Sequence, residues 1–153
     1  MSVTHPRGFR ATGLAAGIKS SGAADLALVV SDGPRHTAAG VFTSNRVQAA
    51  PVVWSRQAVA DGRIDAVVLN SGGANACTGP DGFADTHRTA EHAAALLGIA
   101  AGDVAVCSTG LIGDRLPMPA LLAALDAAAA ALTADGGPAA ARAIMTTDTV
   151  PKV

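Results

Sequence analysis

The run IDAVVLN, Ile64 to Asn70, constrains the fold of this chain more than any other stretch. It is apolar and β-branched, and it reads as a strand with both faces buried. A polar, glycine-rich loop follows, NSGGANACTGPDG, and then the helical pattern FADTHRTAEHAAALLG. The unit recurs at once, with VAVC as strand, STGLIGD as loop and PMPALLAALDAAAAALTADGG as helix. Strand–loop–helix units of this kind make a layered α/β or α+β domain, in which helices cover a sheet.

In the first helical pattern Ala90, Ala93, Ala94, Leu96 and Leu97 form an apolar side, while Arg88, Glu91 and His92 face out. Asp85 or Thr86 suits its N-cap, and Gly98 its end. Pro117 or Pro119 suits the first turn of the second helix, and Asp135-Gly136-Gly137-Pro138 its end. AARAI is a last helical piece that runs into MTTDTVPKV, a strand or loop. Upstream the character is antiparallel β. Leu26 to Val30 is a strand, SDGPRHT a turn built on Asp32, Gly33 and Pro34, and AAGVFT a returning strand, together a β-hairpin. PVVW, Pro51 to Trp54, is a further short strand that Pro51 can begin. There is no internal repeat, and 153 residues suffice for a single domain, 1–153, with a real core.

Composition excludes several classes of function. Aromatics make up 3% of the chain and tyrosine is absent, which disfavours base-stacking RNA binders. The formal net charge is −1 with no basic stripe, which argues against nucleic acid and against an anionic membrane surface. No segment reaches the ~20 apolar residues of a membrane helix. The opening MSVTHPRGFR lacks the apolar core of a secretory signal. Cys77 and Cys107 are too few for a disulfide framework and lack CxxC spacing. A cytoplasmic location with free thiols is the expectation.

Three stretches can carry chemistry. NSGGANACTG lies at the carboxyl end of a buried strand, where α/β sheets bind ligands, and offers Asn70, Ser71, Asn75 and Thr78 as polar groups. Its alternative is a tight connection whose side chains satisfy its own backbone. In CSTGLIGDRLPM, Ser108-Thr109-Gly110 marks a strand-to-helix turn. A threonine hydroxyl and a backbone N–H converging there make an oxyanion hole. An ST-turn with a flexible glycine is the plainer reading. In MTTDT, the threonines around Asp148 can position an amino-acid substrate, or form a strand of alternating threonines. Internal threonines are not nucleophiles without a nearby base. The two cysteines read as small hydrophobes rather than nucleophiles. His5, His36, His87 and His92 show no metal spacing, and no metal is expected.

NSGGANACTG, AVCSTGLIGDRLPM and AIMTTDTVPK, in this order, resemble the ornithine acetyltransferase family, the glutamate N-acetyltransferases of the cyclic arginine pathway. GFRATGLAAGIKSSGAADLALV and GVFTSNRVQAAPV resemble that family's N-terminal region, so the resemblance covers nearly the whole chain. It implies part of an αββα sandwich and a precursor that cuts itself into an α and a β chain, which stay together as an α2β2 heterotetramer. It implies a nucleophilic threonine at the start of the β chain, which takes acetyl from N-acetylornithine and passes it to glutamate. No cofactor is implied, though some members also use acetyl-CoA as co-substrate. The family's oxyanion hole falls on Thr109 and Gly110. Its substrate-contacting threonine maps to Thr149, with Thr147 as the close alternative. The Asn-Met-Ala-Thr-Met-Leu-like cleavage stretch and a substrate-contacting lysine do not occur before Val153. The chain is therefore expected to be most of an α chain, inactive by itself. Two other readings stand beside this one: a non-catalytic small-molecule-binding or scaffold domain, and a related N-terminal-nucleophile aminopeptidase.

Overall fold

The computed structural model describes residues 1–153. Its sheet has four strands in chain order: β1 (Phe9–Leu14), β2 (Leu26–Ser31), β3 (Ala66–Gly73) and β4 (Val104–Leu111). β1–β2 and β2–β3 pair antiparallel, and β3–β4 pair parallel from Ala66↔Val104 to Gly73↔Leu111. The class is α/β, as the strand–loop–helix units imply.

Alternation along the strands sorts residues onto two faces. Leu26, Leu28, Val30, Ala66, Val68, Val104 and Val106 point to one side. There they meet Ala90, Ala93 and Ala94 of α2 (Gly79–Leu97) and Leu121, Leu125 and Ala128 of α3 (Met118–Ala130). On the other side Ala11 and Ala27 pack against Ala140 and Ala143 of α4 (Gly137–Ala143). All four are alanines, so α4 lies close. It lies mainly over β1 and β2, and touches β3 through Leu69 and Ser71. On that side Cys107, Thr109 and Leu111 of β4 remain exposed.

The outer edge of β4 is half closed. Asp65 N–H donates to Asp103 C=O and Ala74 N–H to Leu111 C=O, so the odd-numbered residues of β4 pair with β3. The even-numbered ones turn their main-chain groups outward. α1 (Ala50–Ala58) closes the first part of this edge. Trp54 Nε1 donates to Val104 O at 2.9 Å. Ser55 Oγ donates to Val106 O at 2.7 Å and accepts from Val106 N at 2.9 Å.

Several sequence expectations are corrected here. PVVW is not a strand but the first half of α1, with Pro51 in the first turn, where its missing N–H costs nothing. The need to cap β4 overrides the local β preference of the two valines. AAGVFT, residues 38–43, is irregular and makes no hairpin with β2. The partner of β2 is β1, FRATGL, whose arginine, threonine and glycine hide its period. NSGG and STGL are not loops but the ends of β3 and β4. α2 begins at Gly79 behind Thr78, so Asp85 and Thr86 are not its caps; both are buried one to two turns inside it. Its end at Gly98 is as expected. Leu96 is exposed rather than on the apolar side. α3 stops at Ala130, and Gly137-Pro138 opens α4 instead of closing α3. Residues 145–153 form no strand.

Ser55 carries a buried hydroxyl that satisfies two strand groups at once. Ser55→Ala is expected to lower unfolding free energy by about 1–3 kcal/mol, since it leaves Val106 N–H and C=O unpaired at a closed edge. Urea denaturation checks this, and an unchanged midpoint at unchanged slope would disprove the capping role.

Candidate active site

The carboxyl ends of β3 and β4 continue past α1 into an open cleft of about 700 Å³. Gly72, Thr109, Gly110 and Leu111 form its floor, Ile18, Lys19, Ser20 and Ser21 one wall, and Thr146 and Thr147 the other. Thr109 and Gly110 thus share one cavity, though within the end of β4 rather than in the expected strand-to-helix turn. Thr147 faces the same cavity. Thr149 is exposed and not among its lining residues.

Two glycines shape the floor. Gly72 and Gly110 are register partners with φ of 111° and 136°, a region that side chains other than hydrogen rarely enter. A Cβ on Gly110 would collide with the backbone of Gly72 and Gly73. Gly110 is even-numbered on β4, so its N–H points off the open edge beyond the reach of α1, where no main-chain acceptor meets it. Thr109 projects its hydroxyl from the face that α4 leaves bare. One N–H and one hydroxyl therefore border the same space from adjacent residues.

Asp25 builds the wall. Its carboxylate is fully buried and accepts the main-chain N–H of Ala16, Ile18 and Lys19 at 2.5–2.8 Å. Its own C=O accepts from Ser71 N on β3 at 2.8 Å. Lys19 Nζ, anchored in this way, donates to Ala24 O at 3.0 Å and Met145 O at 2.6 Å. Arg115, in the connection after β4, is tied to α2, its Nε and Nη2 reaching Asp85 at 2.9 and 2.8 Å. Asp85 holds the Arg115 guanidinium above its ordinary pKa.

The polar groups of NSGGANACTG serve the structure. Asn70 Nδ2 donates to Gly73 O, and its Oδ1 accepts from the Ser108 hydroxyl. Ser71 Oγ donates to Ala143 O, tying β3 to the end of α4. Asn75, at a φ of 47°, joins Gly82 O, Thr86 and Thr78 around the start of α2. Only Gly72 of this stretch lines the cleft. Lys19, Asp25 and Ser20 were missed, because GIKSSGAAD reads as a plain turn.

The cleft is lined by hydroxyl, amide and ammonium donors. No histidine, cysteine, aspartate or glutamate is among its lining residues. His87 stacks on Trp54 at 4.8 Å, His92 meets Asp126 at 2.7 Å between α2 and α3, and His36 faces Asp65 at 3.1 Å. Cys107 lies one turn of the pleat from Thr109, and loss of hydration pushes its thiol above the ordinary value. A second hollow of about 400 Å³, lined by Trp54, Asp61 and Asp103 among others, holds none of the residues singled out from the sequence.

The chain is similar to known proteins throughout. It is 66% identical over its whole length to the arginine biosynthesis bifunctional protein ArgJ of Thermobifida fusca, of which it covers 40%. It is 62% identical to the protein of the same name from Mycobacterium tuberculosis, covering 39% of it with 98% of its own length. A crystal structure of ornithine acetyltransferase complexed with ornithine, from Mycobacterium tuberculosis, superposes with a TM-score of 0.96 at 61% identity. That match covers 97% of this chain and 81% of that one. The chain thus spans about two fifths of the curated relatives it matches. The sequence model of the ArgJ family matches residues 10–153, and this chain belongs to that family.

Proposed function

We propose that this chain is the larger part of the α chain of an ornithine acetyltransferase, and that it supplies the oxyanion hole to a threonine carried by the rest of the protein. The observation that carries this reading is the pairing of Thr109 and Gly110 on one cleft lined by hydrogen-bond donors and by no histidine, cysteine or carboxylate. The threonine oxygen attacks the acetyl carbonyl of N-acetylornithine, and the carbonyl oxygen becomes an oxyanion. Thr109 donates its hydroxyl and Gly110 its N–H to that oxygen. Collapse breaks the C–N bond, the proton given up by the threonine hydroxyl passes to the departing nitrogen, and ornithine leaves an acetyl ester on the threonine. The amine of glutamate then attacks the ester carbonyl, so the same oxygen passes through a second oxyanion in the same hole; collapse breaks the ester C–O bond, the amine proton passes to the threonine oxygen, and N-acetylglutamate leaves. Glycine at 110 lets the acetyl group approach the main chain. Thr147, which faces the cleft, and Thr149 nearby are the proposed substrate contacts.

Two further features support a second chain. On the face that α4 partly covers, β4 lacks a covering layer, and Leu111 and Ile112 are 67% and 69% exposed beside the cleft. Such a face fits burial against a partner sheet in an αββα sandwich. Nearly the same stretch also fills 39% of the curated Mycobacterium tuberculosis protein but 81% of the crystallised chain. That chain is therefore about half the full product, as a protein cut into two would be. Self-cleavage and an α2β2 assembly are parts of this proposal. Acetyl-CoA is the proposed alternative donor for glutamate, and no cofactor takes part.

The test is to assemble this chain with the remaining region of the Thermobifida fusca relative and to measure acetyl transfer from N-acetylornithine to glutamate. Thr109→Val keeps the shape and removes the hydroxyl, and should lower kcat about 10²-fold with KM nearly unchanged. Wild-type turnover from that variant would end the oxyanion assignment.

Cys107 gives a second prediction. Its raised thiol pKa means that the neutral form persists at pH values where an ordinary cysteine has begun to ionise. Iodoacetamide should therefore modify it more slowly than a free thiol at pH 8, and the rate should climb only at higher pH. Cys107→Ser should leave acetyl transfer within about threefold of wild type, because the thiol takes no part in chemistry. A loss comparable to that of Thr109→Val would show otherwise.

A further inference from the structure

We infer that Lys19 is a positioning residue, whose ammonium seats the threonine-bearing segment Met145–Thr147 across the cleft from Gly110. Residues 145–153 have few ties to the body of the protein. Met145 N–H bonds back to Arg142 O at the end of α4. Thr146 N–H donates to Asp148, and Lys152 Nζ reaches Asp148 at 2.6 Å, both inside the segment. The one hydrogen bond from this segment to the sheet side of the cleft is Lys19 Nζ to Met145 O, at 2.6 Å and 126 residues apart in sequence.

The surroundings of Lys19 fit that role. It is half-buried and makes no salt bridge, so no carboxylate competes for its ammonium. Two of its three N–H donors go to main-chain carbonyls, those of Ala24 and Met145. Its stem lies over the glycine floor, with Cγ 3.2 Å from where a Cβ on Gly72 would stand. Its main-chain N–H is fixed by the buried carboxylate of Asp25. A rigid chain of contacts thus runs from Asp25 through Lys19 to Met145, and the next two residues, Thr146 and Thr147, line the cleft. A charged donor to a carbonyl makes a stronger bond than a neutral one, which suits an anchor that stands alone. Cut loose, the segment would have to be ordered again by each substrate that uses it, which weakens binding and leaves the reacting groups in place.

The kinetic arm of the test rests on the acetyl-transfer reading, and the structural arm does not. In the assembled protein, Lys19→Met keeps the stem and removes the ammonium. Hydrogen exchange should quicken about tenfold in peptides spanning 145–153 and stay at the wild-type rate over β3 and β4. KM for N-acetylornithine should rise about tenfold while kcat stays within about threefold. Lys19→Arg, which keeps a cationic donor, should recover most of both. If Lys19→Met does not assemble, Lys19→Gln carries the same test. Wild-type exchange at 145–153, or a collapse of kcat at unchanged KM, would overturn the inference. An assembly with wild-type Lys19 that transfers no acetyl group would instead overturn the proposed function, and the exchange data would still decide the role of Lys19.

Discussion

A carboxylate with no solvent exposure is the constraint on which the cleft depends. Asp25 has no cation beside it, and an isolated buried charge is very costly. What makes it tolerable is the turn of Ala16 to Lys19, which aims three main-chain N–H groups at one carboxylate. The relation is mutual. Those N–H groups sit in a connection between strands, where no ladder would satisfy them. Asp25 stands directly before β2, and its C=O binds Ser71 of β3. The turn is thereby fixed to two strands, and its outer side becomes the wall that carries Ile18, Lys19, Ser20 and Ser21.

Strand parity explains why the donors lie where they do. Main-chain groups at even positions of β4 must leave the sheet at its edge. At Val104 and Val106 this would be a liability, and Trp54 and Ser55 of α1 remove it. Beyond α1 the same pattern continues to Gly110, whose outward N–H is the donor that the proposed oxyanion hole requires. The pair of positive-φ glycines lets β3 and β4 stay in register through Gly73↔Leu111 while crowding their backbones together. A side chain at 110 would separate the strands and withdraw the N–H from the cavity.

How much of this was legible in the sequence depended on where each residue finds its partner. β3 and α2 were legible because their signals are local: a β-branched run, and alanines at helical spacing closed by Gly98. β1 was not, since Arg10, Thr12 and Gly13 mask its alternation and its identity comes from pairing with β2. α1 was not, since Pro51 and two valines suit a strand and only the bare edge of β4 demands a helix there. In the site, Thr109 and Gly110 stood out because a threonine and a glycine at the end of an apolar run are visible as such. Asp25 and Lys19 did not. The carboxylate serves a turn that looks ordinary, and the ammonium serves a carbonyl at the other end of the chain.

The incompleteness of the site and that of the fold coincide, and this is what ties the architecture to the chemistry. α4 covers β1, β2 and part of β3, so the open face and edge of β4 and the cleft meet at the ends of β3 and β4. A cavity lined by the hydroxyl residues Ser20, Ser21, Thr109, Thr146 and Thr147, by Gly110 and by Lys19, with no carboxylate or imidazole to act as base, is suited to stabilising negative charge. A second layer laid over that face would enclose the cavity and bring a nucleophile by the same movement. Enclosure also matters energetically, because hydrogen bonds to an oxyanion strengthen as water is excluded. On the proposed function, covering the sheet and completing the active centre would be one event, which would account for the exposed Leu111 and Ile112 beside the proposed donors.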